Sequence, residues 1–271
     1  MSFQVQLPIT CDTKKGTRPY QEDRVFIAGY EQGWLLGVFD GHGGHHTSQA
    51  LCEELPSIFA DEIGEPKASA KKALANSIEK VADLTKDYAN GSTLSLVWIP
   101  TKGNTVTCAV IGDSPILIKD AEGKIHIGPD HNVRTNRKEA EAAEMRGGIV
   151  YGGYLYDGSN QYGSQLRGPG LQMARALGDV ALARVLLREP EIYTVKVNAE
   201  SFVIVATDGV FDPGHEETHT AIEAVVTLVA GGGDAEAVVA RAVELKTGDN
   251  ASAIVARFEP KAKKKKKTKE A

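Results

Sequence analysis

Long apolar runs are missing from this sequence. The longest, such as Ala221–Ala230 with Glu223 inside it, fall well short of the ~20 residues that cross a bilayer, which excludes a membrane span. Cysteine is scarce: Cys11, Cys52 and Cys108 are odd in number and widely spaced. They fit neither a disulfide framework nor a thiolate zinc site and read as ordinary reduced thiols. No positively charged block followed by an apolar one opens the chain; Met1–Thr10 alternates like a strand, so no secretory signal is visible. The expected location is the cytoplasm, with nuclear entry through Lys263–Lys267 as an open alternative. Basic excess is lacking too. Against 36 Asp+Glu stand 31 Lys+Arg, and residues 261–271 hold seven of the lysines with one glutamate. The remaining body, residues 1–260, carries 24 basic and 35 acidic residues, a net of -11. An acidic body repels a phosphate backbone, so no nucleic-acid partner is expected for the core.

What the chain does have is a foldable composition, with 42% hydrophobic residues over 271 positions. One domain over 1–260 with a substantial core is the simplest division, and a monomer the default assembly. Residues 261–271 cannot collapse and are expected to be a disordered lysine-rich tail, free to touch an anionic surface or an import receptor or merely to solubilise. Strand patterns cover 2–10, 24–30, 34–39, 93–99, 105–111, 116–119, 201–207 and 251–258. Helical spacing covers 47–60, 67–90, 137–146, 216–230 and 235–245, while 151–170, rich in Gly, Tyr and Ser, reads as a surface loop. Strands group with strands and helices with helices, which predicts an α+β fold with antiparallel sheets.

Three strand-like runs end in carboxylates: Leu36–Asp40 followed by Gly41, Val106–Asp113, and Val203–Asp208 followed by Gly209. Asp-Gly is a common turn, but three such ends together gather charge that needs a cation. Oxygen donors without cysteine point to Mg²⁺ or Mn²⁺ rather than zinc. Within Gly41-His42-Gly43-Gly44-His45-His46, no second His or Cys cluster completes a zinc site. His42, beside a metal-binding carboxylate, suits proton transfer near neutral pH, whereas His45 and His46 read as exposed or capping side chains.

These residues belong to an ordered set: Arg18-Pro-Tyr-Gln-Glu22-Asp23, Val38-Phe-Asp40-Gly41-His42-Gly43-Gly44, Gly91-Ser92-Thr93, Gly112-Asp113-Ser114, Asp130-His131, Gly147-Gly148, Ala174-Arg175-Ala176-Leu177-Gly178-Asp179, Ala206-Thr-Asp208-Gly209-Val-Phe-Asp212 and Gly248-Asp249-Asn250. The set, spanning roughly residues 10–258, resembles the metal-dependent serine/threonine protein phosphatases of the protein phosphatase 2C class. The resemblance implies a four-layer αββα sandwich, two antiparallel sheets flanked by helix pairs, with a metal centre at one end. It implies hydrolysis of phosphoserine and phosphothreonine in proteins by a metal-activated water, without a phosphoenzyme.

By position, the resemblance makes Asp40 the ligand bridging two Mn²⁺ or Mg²⁺ ions, with the Gly41 carbonyl, Asp208 and Asp249 completing the set. Glu22 and Asp23 hold metal-bound waters, Arg18 binds the phosphate, His42 is the general acid, and Asp113 with Asp212 marks a weaker third metal site. One departure bears on that third site. Pro115 stands where the family usually has Arg after Gly112-Asp113-Ser114. Arg175 and Asp179 are read as a buried ion pair or turn support. Two other functions stay in competition: a catalytically silent, phosphatase-like binding module, and a phosphohydrolase of the same fold acting on small phosphate esters.

Overall fold

The computed structural model describes residues 5–162, 165–211 and 218–260. Its first elements are β1 (Val5–Gln6), β2 (Ile9–Lys14), β3 (Arg24–Tyr30), β4 (Gly33–Phe39), β5 (Gly41–His42), α1 (His46–Gly64) and α2 (Ala70–Thr85). Next come β6 (Gly91–Ser92), β7 (Leu94–Pro100), β8 (Thr105–Ile111), β9 (Ile116–Lys119), β10 (Ile125–Ile127) and α3 (Arg137–Met145). Two small hairpins follow, β11 (Gly148–Tyr151) with β12 (Tyr154–Asp157) and β13 (Gln161–Tyr162) with β14 (Gln165–Leu166). The chain continues through β15 (Leu177–Gly178), β16 (Glu191–Lys196), β17 (Phe202–Ala206), α4 (Thr218–Ala230), α5 (Ala235–Glu244), β18 (Ala251–Arg257) and β19 (Glu259–Pro260).

Two five-stranded antiparallel sheets form the centre, in the orders β16-β8-β7-β4-β3 and β10-β9-β17-β18-β2. Alternation along their strands divides the apolar side chains between two faces. In the first sheet, Leu36, Val38, Val97, Val106 and Val110 face inward onto Ile116, Ile118, Val203, Val205 and Ile254 of the second. Leu35, Phe39, Leu94, Leu96 and Ile111 face outward and are covered by α1 and α2 through Leu51, Leu55, Phe59, Leu74 and Ile78. The opposite outer face, with Ile204, Ala206 and Val255, is covered by α4 and α5 through Val225, Val229, Val238 and Val239. The layers run helix, sheet, sheet, helix: the αββα sandwich of the α+β class.

Strands 24–30, 105–111 and 116–119 lie where the pattern put them, and the other main elements differ by a few residues. Helix α2 is shorter than 67–90 because the Ser69 side chain caps its start and the chain turns after Thr85. The expected strand 2–10 is instead chiefly β2, paired along β18 from Ala251↔Lys14 to Ala256↔Ile9; residues 1–4 lie outside the described residues, as do 212–217 and the tail 261–271. The 151–170 segment is corrected from loop to hairpins. Gly152-Gly153 forms a two-residue turn with positive φ at both positions, and Leu155 and Asp157 are buried while Tyr154 is exposed. Strand β16 was not expected from the sequence, although it completes the edge of the first sheet against β8.

Candidate metal centre and active site

The strand registers bring the carboxylates to one end of the sandwich. Arg24↔Phe39, Val38↔Ser95 and Leu94↔Ile111 align the β3, β4, β7 and β8 ends, so Asp23, Asp40 and Asp113 leave the first sheet together. In the second sheet Ala206↔Ala253 does the same for Asp208, just after β17, and Asp249, just before β18. Arg18, Asp40, Gly41, His42, Asp113, Asp208 and Asp249 line one cleft of about 180 Å³, with Tyr154 and Gln172 also on its wall.

Asp40 sits on a fixed backbone. Its N–H donates to Thr93 Oγ1 at 3.0 Å, its carbonyl accepts from the Thr93 N–H at 2.9 Å, and Thr93 Oγ1 pairs with Ser114 Oγ at 2.7 Å. Burial first, and then the charges of Asp23, Asp208, Asp249 and Asp113, hold the Asp40 carboxyl well above the usual carboxylate range. Asp23 is pushed up to about 7 by burial and by Asp208 and Asp249, although the Ser252 and Thr207 hydroxyls donate to its Oδ2 at 2.8 and 3.0 Å. Its other oxygen, Oδ1, is buried without a hydrogen-bond partner among the described residues. Asp113 is also pushed up to about 7, by burial and by Asp208, while Asn132 Nδ2 donates to its Oδ2 at 2.8 Å. Carboxylates packed this closely cannot all be charged at neutral pH unless cations enter, and an all-oxygen donor set with an orphaned buried oxygen fits hard divalent ions.

The Arg18 guanidinium lies against the carboxylate of Asp249, with Nη2 at 2.6 Å from Oδ2, while Nε donates to the Gly248 carbonyl at 3.0 Å. Both partners are partly exposed. His42 Nε2 lies 2.7 Å from Asp179 Oδ2. Glu22 is not among the cleft-lining residues; its backbone N–H donates to Asn250 Oδ1 at 2.8 Å. His45 and His46 stack on each other at the exposed start of α1 and supply no side-chain cap. Asp212, expected beside Asp113, lies outside the described residues.

Reasoning from sequence left several residues without a role. Asn250 clamps the Arg18 segment by donating to the carbonyls of Lys15 and Tyr20 at 2.8 and 2.9 Å, and Thr207 and Ser252 hold Asp23. The available signal was the Gly-Asp-Asn triplet at 248–250, whose last residue is a buried amide with both ends engaged. Arg175 forms the expected buried pair, with Nη2 at 2.5 Å from Glu139 Oε1. That pair belongs to a second donor cluster, His131, Glu139 and Glu191, in which Arg175 pairs with the buried Glu139 and also reaches the exposed Glu191. His131 Nδ1 accepts from the Gly112 N–H at 3.0 Å, so its proton is on Nε2, 3.5 Å from Glu191 Oε1. A ring nitrogen that carries a proton offers no lone pair to a metal.

Against known proteins, the family model for protein phosphatase 2C matches residues 19–229. The chain belongs to the protein phosphatase 2C family. It is 28% identical over 276 residues to the protein phosphatase fem-2 of Caenorhabditis elegans, covering 93% of this chain and 59% of that protein. To the probable protein phosphatase 2C 7 of Oryza sativa subsp. japonica it is 29% identical over 187 residues, covering 66% and 46%. The chain thus spans about half the length of the curated relatives it matches. The solved structure of a C. elegans sex-determining protein superposes with a TM-score of 0.76 at 26% identity, covering 94% of this chain and 65% of that one. The catalytic domain of the serine/threonine protein phosphatase PstP, solved in complex with two manganese ions, shares the fold, with a TM-score of 0.61 at 19% identity over 94% and 100% of the two chains.

Proposed function

We propose that the chain is a metal-dependent phosphatase of phosphoserine and phosphothreonine in proteins. The observation that carries this is the convergence of Asp40, Asp113, Asp208 and Asp249 on one cleft with Asp23 buried beside them, and with Asp23, Asp40 and Asp113 all held above the ordinary carboxylate range. Asp40, the Gly41 carbonyl, Asp208 and Asp249 would hold two Mn²⁺ or Mg²⁺ ions, with Glu22 and Asp23 holding waters around them and Asp113 available to a weaker third. Bound there, such ions neutralise phosphoryl charge and make a water acidic enough to act as nucleophile at neutral pH.

The chain's own groups do the rest. Arg18 stands at the rim, and its guanidinium fork can exchange Asp249 for two phosphate oxygens. Water attacks phosphorus opposite the leaving oxygen, and His42 gives that oxygen a proton as the P–O bond breaks, because a serine or threonine alkoxide is too basic to depart unprotonated. The test is hydrolysis of a phosphothreonine peptide and of para-nitrophenyl phosphate, with EDTA and then with added Mn²⁺ or Mg²⁺. Turnover of both that appears only with metal is the expected result; a folded protein inert on both substrates at saturating metal overturns the proposal in favour of the binding module. Turnover of the aryl ester alone, with none of the peptide, favours the small-ester enzyme.

A further inference from the structure

The acid assigned to His42 is not alone. We propose that Asp179 is the positioning residue for His42: its carboxylate anchors one ring nitrogen so that the other is presented to the leaving oxygen. This rests on the reading of His42 as the general acid and deepens it.

The device is built into a small three-stranded sheet in the order β15-β6-β5, where Gly91 of β6 sits between Gly178 of β15 and His42 of β5 in register. Asp179 directly follows β15. Its φ of 50° is left-handed, a conformation rarely adopted by non-glycine residues, and its N–H donates to the Asn90 carbonyl at 3.1 Å. Although Asp179 begins a short 3-10 turn, its side chain makes no capping bond there. The carboxylate instead reaches across the middle strand to His42 Nε2 at 2.7 Å.

Gly91 is what lets it through. A Cβ at that position would lie 1.9 Å from Asp179 Oδ2 and 2.3 Å from His42 Nε2, so any side chain would occupy the place of the contact. Gly178 serves the same end, since with φ 78° its own Cβ would come within 2.2 Å of the Asn90 carbonyl oxygen. Turn support alone needs neither an aligned carboxylate nor an open middle strand.

The chemistry follows from the donor rules. A carboxylate only accepts, so the nitrogen facing Asp179 carries a proton, and Nε2–H is fixed as the donor. Nδ1, without a hydrogen-bond partner among the described residues, is the nitrogen left for the substrate; it is covered in the substrate-free protein, so the cleft wall beside His42 has to open for the leaving oxygen to reach it. During turnover the proton passes from Nδ1 of the imidazolium to the leaving alkoxide oxygen as the P–O bond breaks, while the Nε2–H bond to Asp179 is kept throughout. A carboxylate that holds an imidazole in one tautomer and orientation is an established way to make it effective.

The test uses the full chain with saturating Mg²⁺ and compares D179A, D179N, H42A and the D179A/H42A double variant on a phosphothreonine peptide and on para-nitrophenyl phosphate, whose aryl oxide leaves unaided. D179A is expected to lower kcat on the peptide by about 30-fold and on the aryl ester by about 3-fold, with KM changed less than kcat, since general acid catalysis contributes roughly 10²–10⁴-fold where the leaving group needs it. D179N, which can still accept from Nε2–H, recovers part of the loss, and D179A costs the H42A enzyme no more than about 2-fold. Two-bond ¹H–¹⁵N spectra of the His42 ring are expected to show Nε2–H in the wild type and a mixture of tautomers in D179A. Equal losses on both substrates in D179A, or additive losses in the double variant, while H42A remains selective, overturn the positioning role alone. Equal losses in H42A itself overturn the acid reading, and this inference with it.

Discussion

Two acid-rich sites among the described residues are resolved in opposite ways. Around Glu139, the chain supplies its own cation: Arg175 takes the carboxylate with two nitrogens, at 3.0 Å from Oε2 and 2.5 Å from Oε1, and reaches Glu191 at 3.2 Å. Around Asp40, four further aspartates gather, and the guanidinium of Arg18, exposed at the rim, pairs with Asp249. Burying charge is costly unless it is paired. Where the protein completes the pairing with its own residue the result is a brace; where it leaves the charge unbalanced, the fold carries a strain that an external cation relieves. The same chemistry thus separates a structural from a functional cluster.

The largest effect should come from removing charge at the unbalanced cluster. D40N or D208N is expected to lower metal-dependent turnover by at least about 10³-fold, while the metal-free protein unfolds at a higher temperature than the wild type, because one fewer acid has to be held charged or protonated in the cleft. Kinetics with added Mn²⁺ and calorimetry in EDTA measure the two sides. Activity near wild type in either variant, or a lower metal-free unfolding temperature in both, breaks the contrast.

At the balanced cluster the sign of the stability effect reverses. R175A leaves Glu139 buried without its partner and is expected to cost on the order of 3–5 kcal/mol, the scale for breaking a buried pair. Urea unfolding gives the number, and added Mg²⁺ should not restore it. A loss that Mg²⁺ fully repairs would mean that this cluster too is a cation site.

Acid separates the clusters further. Asp23, Asp40 and Asp113 have native values raised above their unfolded ones, so the metal-free native state binds more protons than the unfolded chain across roughly pH 4–7. Their contribution to stability is therefore lost as pH rises through that window and recovered as it falls. His131 opposes them: burial, and then Arg175, lowers its value, so the stability tied to its neutral form is lost as pH falls below about 6.5. Metal-free unfolding at pH 5.5 and 7.5 should thus show wild type gaining stability at the lower pH and D40N gaining less, with H131Q gaining more than wild type. Saturating Mg²⁺ should invert the wild-type slope, since ligand carboxylates must be deprotonated to bind it. An unchanged slope in D40N would sink the assignment of the strain to this cleft.

The contrast also explains what the sequence made legible. Apolar strands running into Asp40, Asp113 and Asp208 could be read because the strand pattern and the turn residues are local, and the order of motifs placed Arg18, His42 and Asp249 with them. Grouped strands gave the antiparallel α+β class, and the family resemblance implied the sandwich. The 151–170 hairpins stayed hidden because the segment is dense in glycine and only short runs alternate. Asn250 stood in the motifs without a visible task and Asp179 only as an ion pair or turn support, since their partners lie 228–235 and 137 residues away in the chain. Which acid is braced and which is strained depends on tertiary packing that sets Arg175 against Glu139 of α3, and that is not a local property of the sequence.

Arg18 gives the smallest and most discriminating comparison, because it is a cation of the first kind placed at a cluster of the second. Its pair with Asp249 is half exposed on the Arg18 side, and pairs of that sort contribute roughly 0–1 kcal/mol. Replacing Arg18 by Ala should therefore leave urea unfolding in EDTA within about 0.5 kcal/mol of wild type, unlike R175A. With metal present the guanidinium's proposed task is the phosphate, and R18A should raise KM for the phosphothreonine peptide about 10-fold, the loss of one charge-assisted fork, with a smaller change in kcat. R18K should recover little of this, because an ammonium cannot grip two oxygens in one plane. If R18A instead costs several kcal/mol and leaves KM untouched, Arg18 is a brace like Arg175, and the cleft carries part of its own counter-charge after all.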